Sequence, residues 1–139
     1  MSRQGGGLLT LLPVTTIAAA VTGTTGIAAP TEGLRDLLVE AIFLYGSSGT
    51  TLKVWVQTRT KGGTWRDVMN FAFTTSAATK WSKTSIAVAL AAARATSDAA
   101  LADDTILDGF LGDEVRVKYT STGTYAGATS IQVLASTKY

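Results

Sequence analysis

The side chains that could do chemistry in this chain are few, and they are mostly carboxylates. Asp103, Asp104, Asp108, Asp113 and Glu114 fall within twelve positions and form the densest acidic cluster. Paired carboxylates can act as general acid and base, and clustered ones can hold calcium through hard oxygens. A calcium loop of the helix–loop–helix type needs ligands at alternate positions and a distal glutamate. Asp103-Asp104-Thr105-Ile106-Leu107-Asp108-Gly109 lacks that spacing. Short acidic side chains also cap turns, and that is the reading we favour for this cluster. The chain contains no histidine and no cysteine. Disulfides, thiolate nucleophiles, His-based triads and the common zinc sites are therefore excluded. Neither G-x-S-x-G nor S-x-x-K occurs, and Gly46 to Lys53 has the glycines of a phosphate-binding loop in the wrong order. The usual general base is missing. We expect no enzyme, no cofactor and no metal.

Three tryptophans offer a different chemistry. Trp55, Trp65 and Trp81 could present flat platforms to a sugar ring or a base. Trp55 alternates with Leu52, Val54 and Val56, which would leave it on the exposed side of its strand. Packing in the core or at a sheet edge is the commoner use of tryptophan in a small β domain. The basic residues are scattered, with Lys80-Trp81-Ser82-Lys83 the tightest group. Nucleic-acid binders concentrate positive charge, so no nucleic-acid partner is expected.

The elements that must carry these residues read as strands. The chain has 139 residues, of which 46 % are hydrophobic and only 16 % charged, with a net charge of +2. This is the size of one domain with its own core and a weakly charged surface. Val115, Val117 and Tyr119 alternate with Glu114, Arg116 and Lys118. Leu52, Val54 and Val56 alternate with Lys53, Trp55 and Gln57, and Ile131, Val133 and Ala135 with Gln132 and Ser136. Trp65, Met69, Phe71 and Phe73 share a face that Asp67 interrupts. Lys61-Gly62-Gly63 separates two of these runs as a hairpin turn would, and Ser47-Ser48-Gly49 and Ser121-Thr122-Gly123 punctuate similarly. Ile86, Val88 and Leu90 predict a strand to about Leu90, followed by a connection with one helical turn that Ser97-Asp98 would cap. The expected fold is all-β: an antiparallel β-sandwich or jelly roll of about seven or eight strands.

Asp36 to Tyr45 is apolar on both sides. Leu37, Val39, Ala41, Phe43 and Tyr45 make one face; Leu38, Ile42 and Leu44, with Glu40 among them, make the other. Such a strand is usually covered twice. The favoured expectation is a loop across its back; the alternative is a subunit contact.

The first thirty residues differ from the rest. Met1 to Gly7 is polar and glycine-rich, Leu8, Leu9, Leu11 and Leu12 form an apolar patch before Pro13, and Val14 to Pro30 is rich in Thr, Ala and Gly. Pro13 and the threonines argue against a signal peptide, and no window reaches the ~18 apolar residues of a membrane span. We expect residues 1–30 to be an extended N-terminal arm with the first strand, and residues 31–139 to be the sandwich. The arm would fold back on its own domain or lie along a neighbouring subunit.

Two segments carry a family resemblance. Leu52-Lys-Val-Trp-Val-Gln-Thr-Arg-Thr-Lys-Gly-Gly-Thr-Trp-Arg-Asp-Val68 is one; Leu107-Asp-Gly-Phe-Leu-Gly-Asp-Glu-Val-Arg-Val-Lys-Tyr119, followed by Gly123-Thr-Tyr-Ala-Gly127, is the other. Together they cover about half the chain and resemble the jelly-roll cement, or decoration, proteins of tailed bacteriophage capsids. The resemblance implies a virion protein on the outer surface of an icosahedral head, clamping neighbouring major capsid proteins. It also implies self-association as a dimer or trimer at a symmetry axis, with no membrane partner. Leu8, Leu9, Leu11, Leu12, Leu38, Ile42 and Leu44 are the expected capsid or subunit contacts. Two rivals stay open: a carbohydrate- or receptor-binding module of a virion, and a tail or head–tail connector subunit.

Overall fold

The computed structural model describes residues 8–86, 93, 97–107 and 111–138. Every regular element among them is a strand, and every named pairing is antiparallel. In chain order the strands are β1 (Leu8–Thr16), β2 (Thr24–Thr25), β3 (Ala29–Pro30), β4 (Asp36–Leu44), β5 (Ser47–Ser48), β6 (Thr51–Arg59), β7 (Arg66–Phe73), β8 (Ala78–Ser85), β9 (Glu114–Thr122), β10 (Tyr125–Ala126) and β11 (Ser130–Lys138). Seven are eight or nine residues long, and the rest are two-residue pieces. No helix long and apolar enough to cross a membrane occurs among the described residues.

Two sheets form. Sheet A has the order β1-β11-β4-β8; sheet B has the order β2-β9-β6-β7, with β3 also paired to β9. Between them lies a core to which β4, β6, β9 and β11 contribute every second residue. Leu37, Val39, Ala41 and Phe43 from β4 and Ile131, Val133 and Ala135 from β11 meet Leu52, Val54 and Val56 from β6 and Val115 and Val117 from β9. Phe43 stacks on Phe73, with ring centroids 5.0 Å apart, and takes the edge of Tyr125 at 5.7 Å. Tyr125 closes that end by donating its hydroxyl to the Thr74 carbonyl at 2.7 Å.

The Lys61-Gly62-Gly63 hairpin joins β6 to β7 as expected, with Gly62 at φ 78°. Beyond it the structure departs from simple alternation. Val56 pairs with Met69 but Gln57 pairs with Asp67, so Val68 is an extra residue in a β-bulge. The bulge lets Val68 and Met69 both stay in the core and turns Asp67 to the opposite side of sheet B.

The N-terminal region is not separate from the sandwich. β1 pairs with β11 along the edge of sheet A, and Leu11 is 1 % exposed. β2 and β3 pair with β9, so residues 8–30 contribute to both sheets. Residues 1–7 lie outside the described residues, as do Val88 and Leu90 of the expected strand. The helical turn capped by Ser97-Asp98 does not form: no helix is present over residues 97–107.

Candidate interaction face

The two outer surfaces of the sandwich have opposite fates. On sheet B the outward side chains are Lys53, Trp55, Gln57 and Arg59 on β6, Arg116 and Lys118 on β9, and Asn70 on β7. The segment 97–107 lies across them. Its anchor is Asp67, which is buried and accepts from the backbone N–H of Ala99 at 2.9 Å, Ala100 at 2.8 Å and Leu101 at 3.0 Å. Gln57 adds its amide to the same carboxylate at 2.9 Å and to Asp98 at 2.7 Å, and takes the Arg116 Nε–H on its own oxygen at 2.9 Å. Gln57 is thus fully buried yet bonded at both ends of its amide.

The acidic cluster is distributed along this covering segment and its exit. Asp103 pairs with Lys53 at 3.1 Å, Asp104 with Lys80 at 2.9 Å and Asp98 with Lys118 at 2.8 Å. Asp113 accepts the Lys61 N–H at 2.8 Å, and Glu114 accepts Arg59 Nε–H at 2.8 Å. Asp108 lies outside the described residues. These carboxylates hold the segment and the β6–β7 turn down through ion pairs and backbone N–H groups. Among the described residues no group of three or more acidic side chains is placed to hold a metal ion. Hydrogen bonds from Lys118 and Gln57 hold the Asp98 carboxyl below the ordinary aspartate range, against some burial. Burial pushes Asp104 up, but the Ala72 N–H and the Lys80 ammonium outweigh it and leave the group lowered.

The tryptophans do not assemble into one platform. Trp55 is 6 % exposed, not the open ring that alternation predicts, because the covering segment takes its indole N–H on the Leu101 carbonyl at 3.0 Å. Trp65 carries the guanidinium of Arg59 at 4.5 Å and that of Arg116 at 4.4 Å. Trp81 is on the other sheet.

No segment among the described residues covers the outer side of sheet A. The loop expected across the back of Asp36 to Tyr45 is not found among the described residues. Rows read directly from the register: Leu8, Ser136, Leu38 and Lys83 in one; Thr10, Leu134, Glu40 and Trp81 in the next; Gln132, Ile42 and Thr79 in a third. Leu38 is 42 % exposed, Leu44 56 %, Leu8 71 % and Trp81 68 %, with Ile42 and Leu134 half-buried. The face carries Leu8, Leu38, Ile42, Leu44, Leu134 and Trp81 among Thr10, Ser136, Gln132, Thr79, Glu40 and Lys83.

The expected contact residues therefore divide. Leu8, Leu38, Ile42 and Leu44 share this outer face. Leu9 is half-buried and packs against the core. Leu11 and Leu12 sit inside the chain's own core and are not available to a neighbour; the expectation for them is corrected, because the register shifts in β1 turn both inward. Trp81, which no contact expectation included, joins the face. Its alternation with Lys80 and Ser82 was visible, but not which side of β8 would be core. Comparison of the chain with family models, with curated proteins and with solved structures returns no match.

Proposed function

We propose that this chain is a structural clamp of a phage head: a jelly-roll protein that docks the outer face of sheet A on neighbouring major capsid proteins at the outer surface of an icosahedral shell. The strand order supports the finer fold assignment. With β2 and β3 taken as one strand position, the eight positions fall in the sheet orders 1-8-3-6 and 2-7-4-5, the two Greek keys of the jelly-roll arrangement found in capsid and lectin domains. Fold alone does not select the function. The observation that carries the reading is the apolar outer face of Leu8, Leu38, Ile42, Leu44 and Trp81, left open while the other sheet is covered. Large apolar side chains exposed together on one face mark interaction sites. A protein that binds only the assembled shell stabilises it by mass action, and lattice repetition adds avidity to each weak contact.

The test is binding of the purified chain to mature capsids of its phage, followed by cosedimentation. Saturable decoration is expected, with Leu38→Asp and Leu44→Asp each abolishing it while the variants keep wild-type melting curves. Removal of residues 1–7 separates an arm contact from the face contact; deletion through Leu12 would strip the core and is uninformative. Capsids left bare by the wild-type chain would overturn the proposal.

A further inference from the structure

Each long edge of a β-sandwich exposes unpaired N–H and C=O groups, and soluble proteins blunt such edges. Three of the four edges here are blunted. β1 carries Pro13 and two register shifts. The β2/β3 edge consists of two-residue pieces. β7 is covered: Ser97 accepts from Asp67 N–H at 2.8 Å, Thr105 from Asn70 N–H at 2.9 Å, and Val68 accepts from Leu107 N–H at 2.7 Å. Among the described residues β8 is the exception. It is eight residues long, has no proline and pairs with β4 without a register shift.

The backbone groups on its open side can be named. Ile86 N–H bonds the Arg35 carbonyl at 3.0 Å, which continues the β4–β8 register by one pair. Bonded pairs alternate in an antiparallel ladder. Residues 80, 82 and 84 therefore face β4, and Thr79, Trp81 and Lys83 turn their N–H and C=O groups away from it. No backbone partner for these three occurs among the described residues. A groove of about 370 Å³ separates β8 from segment 104–106, so that segment does not fill the edge.

The charges on the same face say which strand fits. Glu40 and Lys83 have no ion-pair partner among the described residues. Glu40 stands opposite Trp81, and Lys83 opposite Leu38. We propose that β8 pairs antiparallel with β8 of a second copy of this chain, with Trp81 opposite the second copy's Lys83 and the two-fold axis between the Ser82 residues. One row across the joint then reads Glu40, Trp81, Lys83, Leu38, and the symmetric row reads the reverse. Each lysine lies across the other copy's indole and points to its Glu40. Strands are about 4.8 Å apart, so Glu40 and that lysine start about two strand spacings apart and their stems close the gap over the ring. The register that sets Lys83 against Lys83 is disfavoured by like charge. The joined sheets make one eight-stranded sheet whose outer face carries Leu38, Ile42 and Trp81 of both copies.

This pairing does not depend on capsid binding and is tested on the purified full chain by sedimentation. A concentration-dependent dimer is expected. Lys83→Glu and Glu40→Lys should each weaken it about tenfold, and the double exchange should restore it, because the pair is re-formed with reversed sign. Thr79→Pro removes an N–H that faces the open edge, not β4, and should give a monomer with an unchanged melting temperature. The chain lacks cysteine, so Ser82→Cys reports register directly: the facing non-bonded positions are about 4.5 Å apart, within disulfide range. Rapid crosslinking of Ser82→Cys, against slow crosslinking of an exposed Thr22→Cys control, is expected. A chain that stays monomeric, a dimer that survives Thr79→Pro, or a Ser82→Cys chain that links no faster than the control would overturn the pairing.

Discussion

Gln57 donates its amide to Asp67 Oδ1 at 2.9 Å across the β6–β7 bulge, and both side chains are buried on the side of sheet B that faces away from the core. Asp67 is the point where the covering segment is tied down, since three consecutive N–H groups of that segment end on its carboxylate. Asp67→Ala leaves those three donors without their acceptor and takes from the Gln57 amide one of its two, Asp98 being the other. The expected cost is about 3 kcal/mol, the scale of stripping a charged acceptor from a buried network. Urea denaturation checks the magnitude, and hydrogen exchange should show the loss of protection concentrated at residues 99–101.

Acid should loosen the same segment. Asp98 and Asp104 both titrate below an ordinary aspartate, whose value is about 3.9. Carboxyls lowered by folding stabilise the folded state above their unfolded value, and that contribution is lost as pH falls through the lowered folded value. The segment should therefore be held at neutral pH and released below about pH 4. The Trp55 indole N–H resonance, bonded to Leu101, reports the release; Asp98→Asn and Asp104→Asn should flatten its pH dependence.

Two glycines should differ in their tolerance of a methyl group. A Cβ on Gly46 would run into the Gly127 carbonyl, where β4 leaves sheet A, and neither backbone can retreat easily. Gly62 has open space around it and only its φ of 78° to resist alanine. Gly62→Ala should cost about 1 kcal/mol and Gly46→Ala clearly more. Thermal denaturation of the pair checks the order.

Tryptophan replacements should separate packing from surface. Trp55→Ala removes a buried ring and a hydrogen bond and should cost about 3–5 kcal/mol. Trp81→Ala should change the melting temperature little, since its ring is mostly exposed. Acrylamide quenching should be dominated by Trp81 and fall in that variant.

The period-two alternation of Leu52 to Gln57, Glu114 to Tyr119 and Ile131 to Ser136 was enough to predict an antiparallel all-β chain, and Gly62 placed the β6–β7 hairpin, because strand faces and positive φ are local properties. Alternation could not say which face would be covered. Trp55 is buried and Trp81 open, because a segment more than forty residues away crosses one sheet and none of the described residues crosses the other. Nor could it foresee the extra residue at Val68, which moves Asp67 out of the Trp65–Phe73 pattern and makes it an anchor. Leu11 and Leu12 looked like a free apolar patch until β1 paired with β11 and drew them inward. Strand identity follows from side chains two apart; coverage and edge exposure follow from contacts between residues distant in sequence, and those exist only once the two sheets have closed on each other.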